Sequence, residues 1–219
     1  MESKEKIIDD ITFQYLNFDL GKEVPCFIVN DGTLLNKETF LSLPYRFVLV
    51  STKKRLDYYT PYFQKAVNSR FPDFGGEGEK YLRILQNDVL SELVEKDDYS
   101  KLYYGGISLG GLHSIYASTK KDFPIIHYYS ICGSFWFPKF TDYLKENLVK
   151  CNADFVLLNG EKEGVKHSNT PLEKAFEKAN DVKDILTETN KVIFISDKYG
   201  HHDKLNERFI RIVDECVKL

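Results

Sequence analysis

A basic excess, a long apolar run and metal-spaced cysteines are all missing from this 219-residue chain. Lys and Arg total 30 against 33 Asp and Glu, a net charge of −3. No basic stripe therefore points to nucleic acid. No apolar run approaches the ~20 residues that a bilayer span needs, so no membrane partner is expected. The opening Met1-Glu2-Ser3-Lys4-Glu5-Lys6 is charged and lacks the apolar core of a secretory signal. The four cysteines, Cys26, Cys132, Cys151 and Cys216, are scattered without ligand spacing. Three of them lie in apolar segments and read as small buried hydrophobes. A reduced, cytoplasmic setting is the simplest expectation. Repeats, low-complexity tracts and interdomain linkers are also absent. With 42% hydrophobic residues, residues 1–219 suffice for one domain with a substantial core.

What is present alternates between strand and helix patterns. Ile11 to Phe18, Val24 to Asn30, Phe47 to Ser51, Tyr103 to Ile107, Ile125 to Ile131, Phe155 to Leu158 and Val192 to Ile195 read as strands. The first of these has the alternation of an antiparallel strand. Glu79 to Val94, Asp142 to Val149, Pro171 to Leu186 and Asn206 to Val217 read as helices. Such alternation predicts an α/β fold, with a mainly parallel central sheet covered by helices on both faces. The irregular stretch Pro61 to Gly78 is expected as a loop or small helix near one end of the sheet. It is the only material for a lid, which would be minimal.

The most informative stretch is Gly106-Ile107-Ser108-Leu109-Gly110-Gly111. A β-type run precedes it and a helix-type run follows. Gly-x-Ser-x-Gly in that setting is the pattern of a nucleophile elbow, a sharp strand-to-helix turn that lifts a serine hydroxyl above the sheet. The flanking glycines avoid collisions in the tight turn. The helix start offers N–H groups to a developing oxyanion, and the first is that of Leu109. The remaining members of such a site follow in the order acid, then histidine, each after the carboxyl end of a strand. Phe155 to Leu158 runs into Asn159-Gly160-Glu161-Lys162-Glu163, which offers Glu161 or Glu163. Val192 to Ile195 runs into Ser196-Asp197-Lys198-Tyr199-Gly200-His201-His202-Asp203, which offers His201 or His202. Neutral imidazole would take the Ser108 proton as the oxygen attacks a carbonyl carbon, and the carboxylate would orient the ring. His113, His127 and His167 read as structural or solvated residues.

From Val24 to the C-terminal helix the chain resembles the esterase branch of the α/β-hydrolase superfamily, which includes esterase D (S-formylglutathione hydrolase) and the enterobactin-type siderophore esterases. The resemblance is carried by the apolar strand ending in Asp31-Gly32, by Arg55-Leu56-Asp57-Tyr58-Tyr59-Thr60-Pro61, and by Gly75-Gly76 before Tyr81-Leu82-Arg83-Ile84-Leu85. Three later pieces complete it: the elbow itself, Gly133-Ser134-Phe135-Trp136-Phe137, and Gly200-His201-His202-Asp203. The acid near Arg55 is shifted by one position, and Cys132 and Phe137 depart from the family's Ser-Pro-Ser-x-Trp-Trp loop. Aligning the last motif on Gly-Gly-His-Asp implies His202 as the base. Aligning Gly160-Glu161-Lys162-Glu163 on Gly-x-x-Asp implies Glu163 as the acid. The resemblance also implies a second oxyanion donor on the Thr33 backbone, although Asp31-Gly32-Thr33 reads equally as an ordinary tight turn.

These observations together imply a serine hydrolase that cleaves a small acyl or aryl ester, or a siderophore-type lactone, through an acyl-serine intermediate. Ser108, His202 and Glu163 are the expected triad. No metal or organic cofactor is implied. Arg55, Tyr59, Trp136 and Phe135 are candidates to contact substrate. Tyr58, Tyr59 and Tyr62 with Lys53, Lys54 and Arg55 would form an aromatic, basic rim suited to an anionic aromatic ester. A monomer or homodimer is expected. An acyltransferase or thioesterase on the same triad, and a non-catalytic binding protein on the same fold, are the competing expectations.

Overall fold

Side-chain alternation along each strand decides the architecture. The computed structural model describes residues 4–67, 71–96, 98–148 and 153–219. The strands are β1 (Lys4–Ile8), β2 (Ile11–Leu16), β3 (Cys26–Asn30), β4 (Arg46–Thr52), β5 (Leu102–Ile107), β6 (His127–Ile131), β7 (Asp154–Gly160) and β8 (Lys191–Asp197). They form one eight-stranded sheet in the order β1-β2-β4-β3-β5-β6-β7-β8. β2 pairs antiparallel with β1 and β4, and the other neighbours are parallel. The two-residue period sends Ile28, Val48, Tyr104, Tyr128, Phe155 and Leu157 into one core. Their neighbours Phe27, Val29, Phe47, Tyr103, Tyr129 and Val156 go into the other. Both faces of the parallel region are apolar, so both must be covered.

The helices that cover them are α1 (Lys37–Leu41), α2 (Arg55–Tyr58), α3 (Gly78–Leu85), α4 (Ser91–Leu93), α5 (Leu109–Ala117), α6 (Phe140–Asn147), α7 (Ala175–Thr187) and α8 (Leu205–Cys216). α3, α5, α6 and α7 bury their apolar residues in the first core. α1 and α8 supply Phe40, Phe209, Ile212 and Val213 to the second. The segment expected as one helix from Glu79 to Val94 runs from α3 through a π turn at Gln86–Leu90 into α4. β1, α1 and α2 are additions to the sequence reading. β1 is an edge strand of sequence Lys-Glu-Lys-Ile-Ile, mostly exposed, so it carries little apolar pattern.

The stretch from Pro61 runs as a loop up to α3, with an antiparallel bridge between Gln64 and Phe74 among its described residues; its residues 68–70 lie outside the described part. The Tyr62 hydroxyl donates to the Pro138 carbonyl at 2.8 Å, and Phe74 packs edge-on to Phe137 and Trp136. The loop is thereby anchored to the turn that follows β6. Cys26, Cys132 and Cys216 are buried free thiols, and Cys151 lies outside the described residues. Among the described residues no helix is long and apolar enough to cross a membrane.

Candidate active site

The turn after β5 carries the strain that its sequence implies. Ser108 has φ 58° and ψ −117°, a conformation costly for any residue but glycine. Three backbone bonds hold it there. Its N–H donates to the Ile131 carbonyl, and its carbonyl accepts from Leu112 and Ser134, each at 3.0 Å. The glycines are needed for closeness: a Cβ on Gly106 would stand 2.5 Å from the Asn30 carbonyl oxygen, and one on Gly110 would stand 2.7 Å from Asn30 Cβ. β3, β5 and α5 can therefore meet only through glycine. Ser108 is partly exposed, and its hydroxyl lies 3.2 Å from that of the buried Ser134.

Two loops beyond β6 bring an acid and a histidine together. Glu163 is buried at the end of β7, where its carboxylate folds back onto its own loop. Oε1 accepts from the Gly160 N–H at 2.6 Å and from Asn159 Nδ2 at 3.4 Å. Oε2 lies 2.8 Å from His201 Nδ1. Glu161, the alternative acid, is exposed, with its backbone N–H tied to the Asp197 carbonyl.

The expected base, His202, is not the residue brought to Glu163. His201 is, and His202 is exposed beside it, with the two rings edge to face at 4.8 Å. The reason lies in how the turn is pinned. Asp203 Oδ2 accepts the Gly200 N–H at 2.9 Å, and Arg208 Nη1 donates to the Gly200 carbonyl at 2.8 Å. With Gly200 fixed from both sides, the side chain at 201 faces the β7 loop and the one at 202 faces solvent. Partial burial and the neighbouring His201 lower the pKa of His202 from its ordinary value.

Arg208 is the clamp of this corner. It is buried, it pairs through Nε and Nη2 with the Asp197 carboxylate, and Nη1 also donates to Cys132 Sγ at 3.0 Å. Nothing in the sequence pattern marked it, because an arginine on an amphipathic helix reads as surface. Cys132 Sγ, a Glu163 carboxylate oxygen and a His201 ring nitrogen lie within 4.8 Å of one another. The donor set suits a metal poorly. The guanidinium already occupies the sulfur, and burial, reinforced by Glu163, holds the thiol well above its usual pKa and thus protonated. The contact matters instead for position, since Cys132 follows β6 and lies two residues before Ser134. The Glu163–His201 pair therefore abuts the same turn that touches Ser108. Among the described residues no hydrogen bond joins Ser108 to either histidine.

The remaining candidates divide. Leu109 opens α5 and Thr33 stands in the short 3₁₀ turn Gly32–Leu34 after β3. β3 and β5 are paired through Asn30 and Gly106, so both backbones lie at the same end of adjacent strands. Trp136 is half-buried against Phe74. Phe135 and Tyr59 are fully buried in the core, as is Tyr58. Arg55 makes a two-point ion pair with the buried Asp31, at 3.1 and 2.5 Å, and Lys54 pairs with Asp10. Of the expected aromatic, basic rim, Lys53 and Lys54 are exposed and Tyr62 is half-buried, while Arg55 braces the turn that carries Thr33. His113 is buried behind the elbow, and His127 stacks on Tyr103 in the sheet.

Comparison with known proteins agrees with this architecture. No family model matches the chain. A curated relative, the uncharacterized protein YbbA of Bacillus subtilis, is 30% identical over 120 residues, which are 52% of this chain and 48% of that one. The chain thus spans about half the length of the relative it matches. Among solved structures, an IroE-like serine hydrolase from Shewanella oneidensis has a TM-score of 0.75 at 15% identity, covering 97% of this chain and 78% of that chain. The BES protein of Bacillus cereus has a TM-score of 0.71 at 15% identity, covering 96% and 93%. An enterochelin esterase from Shigella flexneri has a TM-score of 0.68 at 16% identity, covering 99% and 57%. The fold is the α/β-hydrolase fold, as expected, shared with structures of the esterase branch.

Proposed function

We propose that this chain is a serine hydrolase that cleaves a carboxylic ester through an acyl intermediate on Ser108, with His201 as base and acid and Glu163 as the orienting carboxylate. The observation that carries the proposal is the 2.8 Å contact between His201 Nδ1 and a buried Glu163 oxygen, at the same end of the sheet as a serine with φ 58°. Nδ1–H donating to the carboxylate leaves Nε2 as the unprotonated nitrogen, the tautomer a general base requires. The two hydrogen bonds on Oε1 keep the other oxygen directed at the ring.

In the reaction, His201 Nε2 removes the Ser108 proton as Oγ bonds to the ester carbon. The Leu109 and Thr33 N–H groups receive the developing oxyanion. The proton then passes from Nε2 to the departing alcohol oxygen. Water repeats the sequence to release the acid and restore Ser108. The names of the solved relatives, an enterochelin esterase and a siderophore hydrolase among them, favour a siderophore-type ester as substrate, with a small acyl or aryl ester as the alternative. Labelling with a fluorophosphonate, followed by peptide mapping, tests the assignment. Modification is expected on Ser108 alone. Ser108→Ala should escape labelling and lose on the order of 10⁴-fold or more in ester turnover. A label on another serine, or an active alanine variant, overturns it.

A further inference from the structure

The Ser108 hydroxyl has a neighbour that the triad does not account for. Ser134 Oγ stands 3.2 Å from it, and Ser134 is only 1% exposed. Its placement is built rather than incidental. Cys132 leaves β6 at φ 52°, and the chain then winds tightly, with Phe135 N–H on the Gly133 carbonyl at 2.7 Å and Phe137 N–H on the Ser134 carbonyl at 2.9 Å. In the same turn the Ser134 N–H donates to the Ser108 carbonyl at 3.0 Å. Ser134 therefore grips Ser108 twice, through backbone and through hydroxyl.

We infer that the Ser134 hydroxyl is an auxiliary donor to the reacting oxygen, a role that rests on the reading of Ser108 as nucleophile. Ser108 Oγ is the hydrogen-bond partner of Ser134 Oγ among the described residues. Were Ser108 the donor, the Ser134 hydrogen would be buried without an acceptor, which costs more than the bond returns. With Ser134 as donor that cost vanishes, and the Ser108 proton is free to face imidazole. Ser134 keeps its own proton throughout. In acylation the Ser108 proton moves to His201 Nε2 while Oγ bonds to carbon. In deacylation the Oγ–carbon bond breaks and Nε2 returns a proton to Oγ. In both, Oγ carries transient negative charge, and a donor aimed at it is worth more then than in the ground state.

The test is Ser134→Ala, with Ser134→Cys as a variant of similar size and weaker donor strength. Each is assayed for fluorophosphonate labelling rate and for kcat and KM on a short-chain aryl ester. Ser134→Ala keeps the backbone bonds, so a folded protein is expected, labelled at Ser108 about 10-fold more slowly, with kcat lowered about 10-fold and KM unchanged. Ser134→Cys should fall between it and the parent. Parent-like labelling and kcat in both variants overturn the inference, as does a change confined to KM, which would mark a pocket wall. If the unmodified protein is not labelled at Ser108, the nucleophile assignment itself fails, so the two failures are distinguishable.

Discussion

Lowering the pH should destabilise this protein through one buried histidine, and the size of the effect can be worked out. His113 lies on α5, fully buried one turn after Ser108. Its Nε2–H donates to the Gly78 carbonyl at 3.2 Å, and its Nδ1 lies 2.7 Å from the Tyr104 hydroxyl, which donates to it. Both ring nitrogens are thus used by the neutral form. Burial, the largest cause, pushes its pKa from 6.5 down to about 4; Lys120 acts in the same direction, and the Gly78 carbonyl and Glu79 oppose. The folded-state value is the depressed one, so the unfolded chain binds the proton more readily between the two values. The contribution is present above about pH 6.5 and is lost as pH falls toward 4. Between pH 7 and pH 5 the loss is about 2 kcal/mol, from a gap between about 6.5 and 4 at 1.36 kcal/mol per pKa unit. Urea unfolding of the parent and of His113→Gln at both pH values isolates it, because every other titrating group cancels in the difference. The drop in unfolding free energy should be about 2 kcal/mol smaller in the variant. Equal drops would refute the assignment of a neutral, depressed His113.

Further outcomes follow from the acid loop and its hinge. Glu163→Gln should lower ester turnover far more than Glu161→Gln, since only Glu163 meets the ring and an amide cannot fix its charged form; steady-state kinetics on the two variants decide this. Gly160→Ala should cost about 1–3 kcal/mol, read as a lowered urea midpoint, because its Cβ would collide with the Tyr199 carbonyl oxygen and the Arg208 guanidinium. The same collision should push the His201 loop off Glu163 and reduce kcat before stability fails.

The parallel sheet is legible because its strands are continuous apolar runs, and the strand-to-helix turn at Ser108 because strand, glycines and helix succeed one another. β1 is not, since a charged edge strand needs no apolar face. The sequence points to His202, whereas the ring that meets Glu163 is that of His201. Motif alignment placed His202 in the histidine column, but the direction of each side chain is set by how Gly200 is pinned, by Asp203 on its N–H and by Arg208 on its carbonyl. The arginine that makes this clamp stands only eight residues on, but on an amphipathic helix it reads as surface. The placement of two expected rim residues has a related reason. Tyr59 lies in the core and Arg55 is held on a buried aspartate, while Lys53 and Lys54 stay exposed. The position of Asp31 decides this for Arg55, and packing against Tyr81 and His113 decides it for Tyr59.

Hydrolysis of a short-chain aryl ester by His201→Ala and His202→Ala, measured side by side, tests the catalytic site most directly. His201→Ala should lose on the order of 10³-fold or more in kcat/KM, because both the proton acceptor and the partner of Glu163 are gone. His202→Ala should stay within a few-fold of the parent, since its side chain is exposed and lies outside the Glu163 contact. An inactive His202→Ala beside an active His201→Ala would contradict the site as assigned.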